Sequence, residues 1–237
     1  MIRKLALWGA VVLSVTAPLS AQPARPAQVP LVLDVKASGP TINRDIFGQF
    51  AEHLGQGIYG GVWVGRDSTI PNVRGIRTDV VQALRDIKVP VVRWPGGCFA
   101  DAYNWRSGIG PLAERKVTVN LWGNVPEPNT FGTHEFMDFV DQIGSEAYIS
   151  VNMGSGTAAE AADWLEYMTT NQPSTLGKLR AANGRPTPWK IKYLGLGNES
   201  WGCGGGMSGD EYVMEMKRFS TFVRNLNPAQ NAEIPIY

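Results

Sequence analysis

Val89-Pro90-Val91-Val92-Arg93-Trp94-Pro95-Gly96-Gly97-Cys98 reads as a short apolar strand that runs directly into a glycine-rich loop. Val91 and Val92 are β-branched neighbours, so both faces of the strand are apolar, as in a parallel strand covered by helices. The same design recurs. Strands are expected over 46–50, 89–94, 147–152 and 192–197, and each is followed by a helical pattern. Ile76, Val80, Leu84 and Ile87 step at helical spacing; so do Phe136, Phe139, Val140 and Ile143, then Ala161, Trp164, Leu165 and Met168, then Tyr212, Met216, Phe219 and Val223. Thr157-x-x-Glu160 and Ser208-x-x-Glu211 are capping boxes that satisfy first-turn amides. Four βα units in a row imply an α/β fold with a parallel sheet, either an open doubly wound sheet or a barrel.

The glycines favour the barrel. They cluster after strand ends, at Gly55/57/60/61, Gly96/97, Gly154/156 and Gly202/204/205/206. No G-x-G-x-x-G links the first strand to a helix, which argues against a dinucleotide site. Rich loops after every strand suit a (β/α)8 TIM barrel, whose site is assembled at the C-terminal strand ends.

Composition narrows the chemistry. The 237 residues are 43% hydrophobic and 18% charged, with a formal net charge of +1. That balance gives no electrostatic footprint for nucleic acid or an anionic membrane. Two cysteines and two histidines are too few for a disulfide scaffold, a zinc module or a His-based metal site. Met1 to Ala21 has a basic start, an apolar middle and a small-residue end, the layout of a cleaved secretory signal peptide. Residues 22–30 read as a flexible, proline-rich leader, and 31–35 as a short strand before the Gly39-Pro40 turn. Export to the periplasm or beyond is the expected localisation.

The strand ends deliver the candidate site. Glu199 follows the apolar run Tyr193–Leu196, where partial desolvation would raise its pKa toward that of a general acid. Asn198 beside it can bond a substrate hydroxyl. Glu52 is a second carboxylate, with a structural salt bridge as the bland alternative. His53 reads as a hydrogen-bonded packing residue and His134 as a structural residue at a helix start. Cys98 as a nucleophile would need His53 as its base; a bridge to Cys203 stays open. Trp63, Trp94, Trp105, Trp122 and Trp201 fall at strand ends or in loops, either as packing or as a sugar-stacking rim. Carboxylates with aromatics point to glycoside hydrolysis.

The stretches Ile46-Phe47-Gly48-Gln49-Phe50-Ala51-Glu52-His53-Leu54-Gly55, Val91 to Asp101, Phe131-Gly132-Thr133-His134-Glu135-Phe136-Met137 and Gly195 to Gly205 resemble the α-L-arabinofuranosidases of glycoside hydrolase family 51. The resemblance runs from Val32 to Asn227. It implies a retaining barrel hydrolase that removes terminal α-L-arabinofuranosyl groups from arabinan, arabinoxylan and related oligosaccharides. Glu199 would be the general acid/base and Asn198 would hold the 2-hydroxyl. Glu52 would hold other hydroxyls, with Gly97, Cys98 and Asn152 lining the same subsite and Trp201 beside it. No metal or organic cofactor is implied. Carbohydrate is the implied partner, and the full-length enzyme is compatible with a homo-oligomer. Residues 31–45 would contribute a strand to a β-sandwich domain.

A retaining mechanism needs two carboxylates about 5–5.5 Å apart. In the family the nucleophile is a glutamate on a late strand, which this chain is expected to lack. Residues 46–226 hold four units, and eight would need about 360 residues. The expectation is thus that 46–237 is the first half of a barrel, with two open sheet edges and an apolar inner layer facing water. Such a chain alone would be inactive and poorly soluble or oligomeric. The alternatives are a non-catalytic carbohydrate binder, a decayed fragment, or another barrel glycosidase acting on xylan or glucan.

Overall fold

The computed structural model describes residues 29–230. The chain divides into residues 1–41 and residues 42–237. In the first unit, residues 29–41 carry a turn but no helix or strand, and Leu31, Val32, Leu33 and Val35 are exposed. The strand expected over 31–35 is not formed. A strand needs a neighbour to match its amide and carbonyl groups, and no described residue pairs with this stretch.

The second unit is built on four parallel strands: β1 (Gln49–Phe50), β2 (Val91–Trp94), β3 (Glu146–Val151) and β4 (Tyr193–Leu196). They lie side by side in chain order. Helices α1 (Thr78–Asp86), α2 (Thr133–Ile143), α3 (Ala158–Thr169), α4 (Thr175–Ala182) and α5 (Gly209–Phe222) fill the connections. The α/β reading and the four expected strands hold; β1, β2 and β4 are shorter than expected, and β3 keeps its length but starts one residue earlier. Residues Arg44–Phe47 form a 3-10 turn instead of extending β1, because the Asn43 side chain accepts the Asp45 amide at 3.0 Å. Both capping boxes form: Thr157 Oγ1 accepts the Glu160 amide at 3.2 Å, and Ser208 Oγ accepts that of Glu211 at 3.4 Å. Helix α4 was not visible in the pattern. Its N-cap is Ser174, whose Oγ accepts the Gly177 amide at 3.1 Å.

The two faces of the sheet differ in chemistry. Val92, Trp94, Ala147, Ile149, Val151, Leu194 and Leu196 are buried in the core cluster with Phe136, Phe139, Trp164, Leu165 and Phe219 of the helices. Trp94 stacks on Phe136 with ring centroids 4.9 Å apart. On the other face, the register aligns Phe50, Arg93, Tyr148 and Tyr193 in one row. The Arg93 guanidinium lies 4.4 Å from the Phe50 ring centroid, and Tyr148 meets Tyr193 edge-on at 5.7 Å. The expected apolar inner layer is therefore mixed: Phe50 and Val91 are apolar, but a cation, two phenols and Ser150 share the face. Strand alternation explains this: each side chain that points away from the helices is two residues from the next.

Candidate active site

Three strand ends converge. β1 leads to Glu52, β2 to Gly96-Gly97-Cys98, and β4 to Asn198-Glu199. Glu52 Oε1 accepts the Phe99 amide at 3.2 Å. The glycine pair makes room for it: a Cβ on Gly96 would lie 2.7 Å from Glu52 Cγ, and one on Gly97 would lie 3.2 Å from Glu52 Oε1. Cys98 is joined to Cys203 by a disulfide. The bridge packs against Glu199, whose Oε2 is 3.9 Å from the Cys98 sulfur and 3.5 Å from that of Cys203. Arg93 Nη1 donates to Asn198 Oδ1 at 3.4 Å. Glu199, Asn198 and Trp201 line a cleft of about 360 Å³ with Tyr148, Met207 and Tyr212.

The backbone at Glu199 is unusual. Its φ is +44°, in the left-handed region that non-glycine residues seldom occupy. Its carbonyl accepts the amides of Gly202 at 2.7 Å and Gly204 at 3.1 Å. The loop thus turns tightly just after the carboxylate.

Several expectations need correction. Glu199 is exposed although the disulfide packs against its carboxylate, so the expected burial is not formed by the described residues. Of the two alternatives left open for Cys98, the structure forms the bridge, so Cys98 has no free thiol. The sulfurs of Cys98 and Cys203 and the Glu199 carboxylate lie close enough for a metal site, but the sulfurs are bonded to each other. Asn152 spends its side chain on its own turn: Oδ1 accepts the amides of Ser155 and Gly156, and Nδ2 donates to Tyr103 O. It lines a separate cavity with Tyr103, Trp105 and Trp164. The five-tryptophan rim is also revised. Trp63, Trp94 and Trp105 are core residues, whereas Trp201 is 75% exposed and Trp122 41%.

His53 is a packing residue, as expected. The Trp94 indole N–H can only donate, and it reaches His53 Nε2 at 3.0 Å. That nitrogen must accept, so Nδ1–H donates to Glu127 Oε2 at 3.0 Å. The Tyr59 hydroxyl also donates to Glu127. Burial pushes the Glu127 carboxyl up, but these donors and the Asn129 amide outweigh it and hold the group below its usual range. His134 is structural too, with Nε2 2.6 Å from the Tyr167 hydroxyl.

The sequence reading missed Asp101 as a site residue. It is 4% exposed, and burial pushes its carboxyl above the usual range although three backbone amides oppose this. Its signal was an acid within the otherwise apolar segment Cys98–Tyr103. Arg93 was missed as well; its signal is a charge inside the otherwise apolar run Val89–Trp94.

A family profile described as "Alpha-L-arabinofuranosidase 1 domain" matches residues 83–236. The chain is 56% identical over 185 residues to an "Intracellular exo-alpha-L-arabinofuranosidase" of Bacteroides ovatus, covering 78% of this chain and 36% of that protein. It is 42% identical over 161 residues to "Alpha-L-arabinofuranosidase C" of Emericella nidulans, covering 68% and 32%. The GH51 arabinofuranosidase structure from Xanthomonas axonopodis pv. citri superposes with a TM-score of 0.80 at 53% identity, covering 85% of this chain and 40% of that one. An α-L-arabinofuranosidase from Thermotoga maritima, solved with arabinose, gives 0.71 at 41% identity, covering 77% and 39%. The chain thus spans about a third of the length of the curated relatives it matches.

Proposed function

The chain belongs to the α-L-arabinofuranosidases of glycoside hydrolase family 51, and from that membership we propose that it supplies the acid/base half of an arabinofuranosidase site. Its four βα units would begin a (β/α)8 barrel, with residues 31–45 joining a β-sandwich. The whole protein would release terminal α-L-arabinofuranosyl groups from arabinan, arabinoxylan and their oligosaccharides.

Glu199 protonates the departing glycosidic oxygen and then deprotonates the water that frees the sugar. Asn198 bonds the 2-hydroxyl and Glu52 the hydroxyls on the other side of the ring. Gly97 and the disulfide form the wall between them, and Trp201 stands at the mouth. Asn152 shapes the loop after β3 instead of touching sugar. The nucleophilic carboxylate is expected from the part of the relatives that this chain does not span. The observation that carries this reading is the grouping of Glu199, Asn198 and the Cys98–Cys203 bridge at the strand-end rim that also holds Glu52.

Export is supported by that disulfide, since such bonds persist in oxidising compartments. The signal segment 1–21 and most of the leader lie outside the described residues. Among the described residues, no helix is long and apolar enough to cross a membrane.

The test joins this chain to the C-terminal remainder of the Bacteroides ovatus relative. The hybrid should release arabinose from an aryl α-L-arabinofuranoside and from arabino-oligosaccharides. Cleavage of xylan or glucan chains without arabinose release would overturn the substrate class. Saturable sugar binding with no turnover by the hybrid would favour a carbohydrate binder.

A further inference from the structure

We propose that Asp101 is a positioning residue for Glu199, a role that rests on the acid/base reading above. Asp101 sits in the 3-10 helix Cys98–Ala102 that follows β2. Its Oδ1 accepts the amides of Met153 and Gly154, both at 2.9 Å. Its Oδ2 accepts the Asn198 amide at 2.6 Å. Its backbone carbonyl accepts the Ser155 amide at 3.0 Å and the Ser155 hydroxyl at 2.8 Å. One residue therefore ties together the loops after β2, β3 and β4. Among the described residues no Lys or Arg pairs with this carboxylate, so its buried charge is matched by amide dipoles alone.

The surroundings are shaped to admit it. A Cβ on Gly204 would lie 2.7 Å from Asp101 Oδ2 and 2.0 Å from the Asn198 carbonyl, and one on Gly154 would lie 2.9 Å from Asp101 Cβ. On either side of the pinned Asn198, Gly197 (φ +76°) and Glu199 (φ +44°) are left-handed. Asp101 fixes this turn from its N-terminal side, while Gly202 and Gly204 fix it from the other through the Glu199 carbonyl. The same short helix also donates the Phe99 amide to Glu52 and supplies Cys98 to the bridge. It holds both carboxylates of this half-site in a fixed relation, and Asp101 is its only acidic link to the Glu199 loop.

The chosen variant is Asp101→Asn, which keeps the shape but removes one acceptor. The amide oxygen can keep Met153 and Gly154, which leaves an NH2 group facing the Asn198 N–H. In the 237-residue chain, hydrogen exchange should accelerate in residues 197–204 and stay unchanged in α2. Unchanged protection of 197–204 overturns the proposal. In the hybrid, kcat/KM should be compared on an aryl arabinofuranoside with a good leaving group and on an alkyl arabinofuranoside with a poor one. A misplaced acid is felt where the leaving oxygen needs its proton. The alkyl substrate should lose about 100-fold and the aryl substrate less than about 10-fold. An equal fall on both, the pattern of general destabilisation, overturns the positioning role. Asp101→Ala should show the same selectivity. An inactive hybrid with accelerated exchange at 197–204 would defeat the enzymatic reading while leaving the Asp101 brace in place.

Discussion

Breaking the Cys98–Cys203 bridge should destabilise this chain by an amount comparable to the largest core truncations. The bond closes a loop between residues separated by 105 positions. In the chain-entropy treatment a loop of about 100 residues contributes about 4.7 kcal/mol at 25 °C. For a domain of this size, about 1 kcal/mol moves Tm by roughly 2–4 °C. Reduction, or the Cys98→Ser/Cys203→Ser pair, should then lower Tm by about 10–19 °C. The assay is thermal unfolding followed by circular dichroism at one fixed protein concentration, with and without a phosphine reductant. The double variant should melt low in both buffers. A thiol count on the unreduced, denatured chain completes it. Two titratable thiols, or a reductant effect below about 2 °C, would refute the reasoning.

Further outcomes follow from the buried polar groups and the tryptophans. Burial depresses His134 from 6.5 to about 4. The native state therefore binds fewer protons than the unfolded chain between those values, so stability is full above pH 6.5 and lost as pH falls toward 4. At about 1.4 kcal/mol per pH unit, the effect approaches about 3 kcal/mol. His134→Asn should flatten this slope in denaturant titrations; an unchanged slope contradicts the assignment. Glu127 is held below its ordinary 4.5, so its contribution is present above that value and is lost as pH falls through its native pKa. Glu127→Gln should cost about 2 kcal/mol at neutral pH and weaken the acid-side loss, read by the same titrations. Trp94→Ala should cost about 3–5 kcal/mol because the ring is fully buried. Trp201→Ala should change stability by less than about 0.5 kcal/mol and raise KM for oligosaccharides in the hybrid. Equal stability losses from the two would contradict their placement.

What the sequence made legible was the part governed by local pattern. Val91-Val92 announced a buried parallel strand because neighbouring β-branched residues make both faces apolar there. The Thr157 and Ser208 caps announced helix starts. Side-chain direction was harder. Trp94 and Arg93 are adjacent, yet one enters the helix-side core and the other the opposite face. Counting tryptophans at strand ends ignored that alternation and overstated the aromatic rim. Residues 31–35 alternate like a strand, but alternation cannot supply a partner strand. Asp101 was hidden for a different reason. Its partners are backbone amides at 153, 154 and 198, which no side-chain motif encodes. Of the candidate site, Glu52, Gly97, Cys98, Asn198 and Glu199 lie in the converging loops after β1, β2 and β4, while Asn152 is turned to its own loop. The disulfide could be named as an option from two cysteines but was fixed only by the approach of their loops.

The most direct measurement is the leaving-group dependence of Glu199→Gln in the hybrid with the Bacteroides ovatus remainder. With Glu199 as the acid/base, kcat/KM on an alkyl arabinofuranoside should fall by about 10²–10⁴-fold, and that on an activated aryl arabinofuranoside far less. Wild-type turnover of the alkyl substrate by Glu199→Gln would contradict the assignment of the acid/base to this chain.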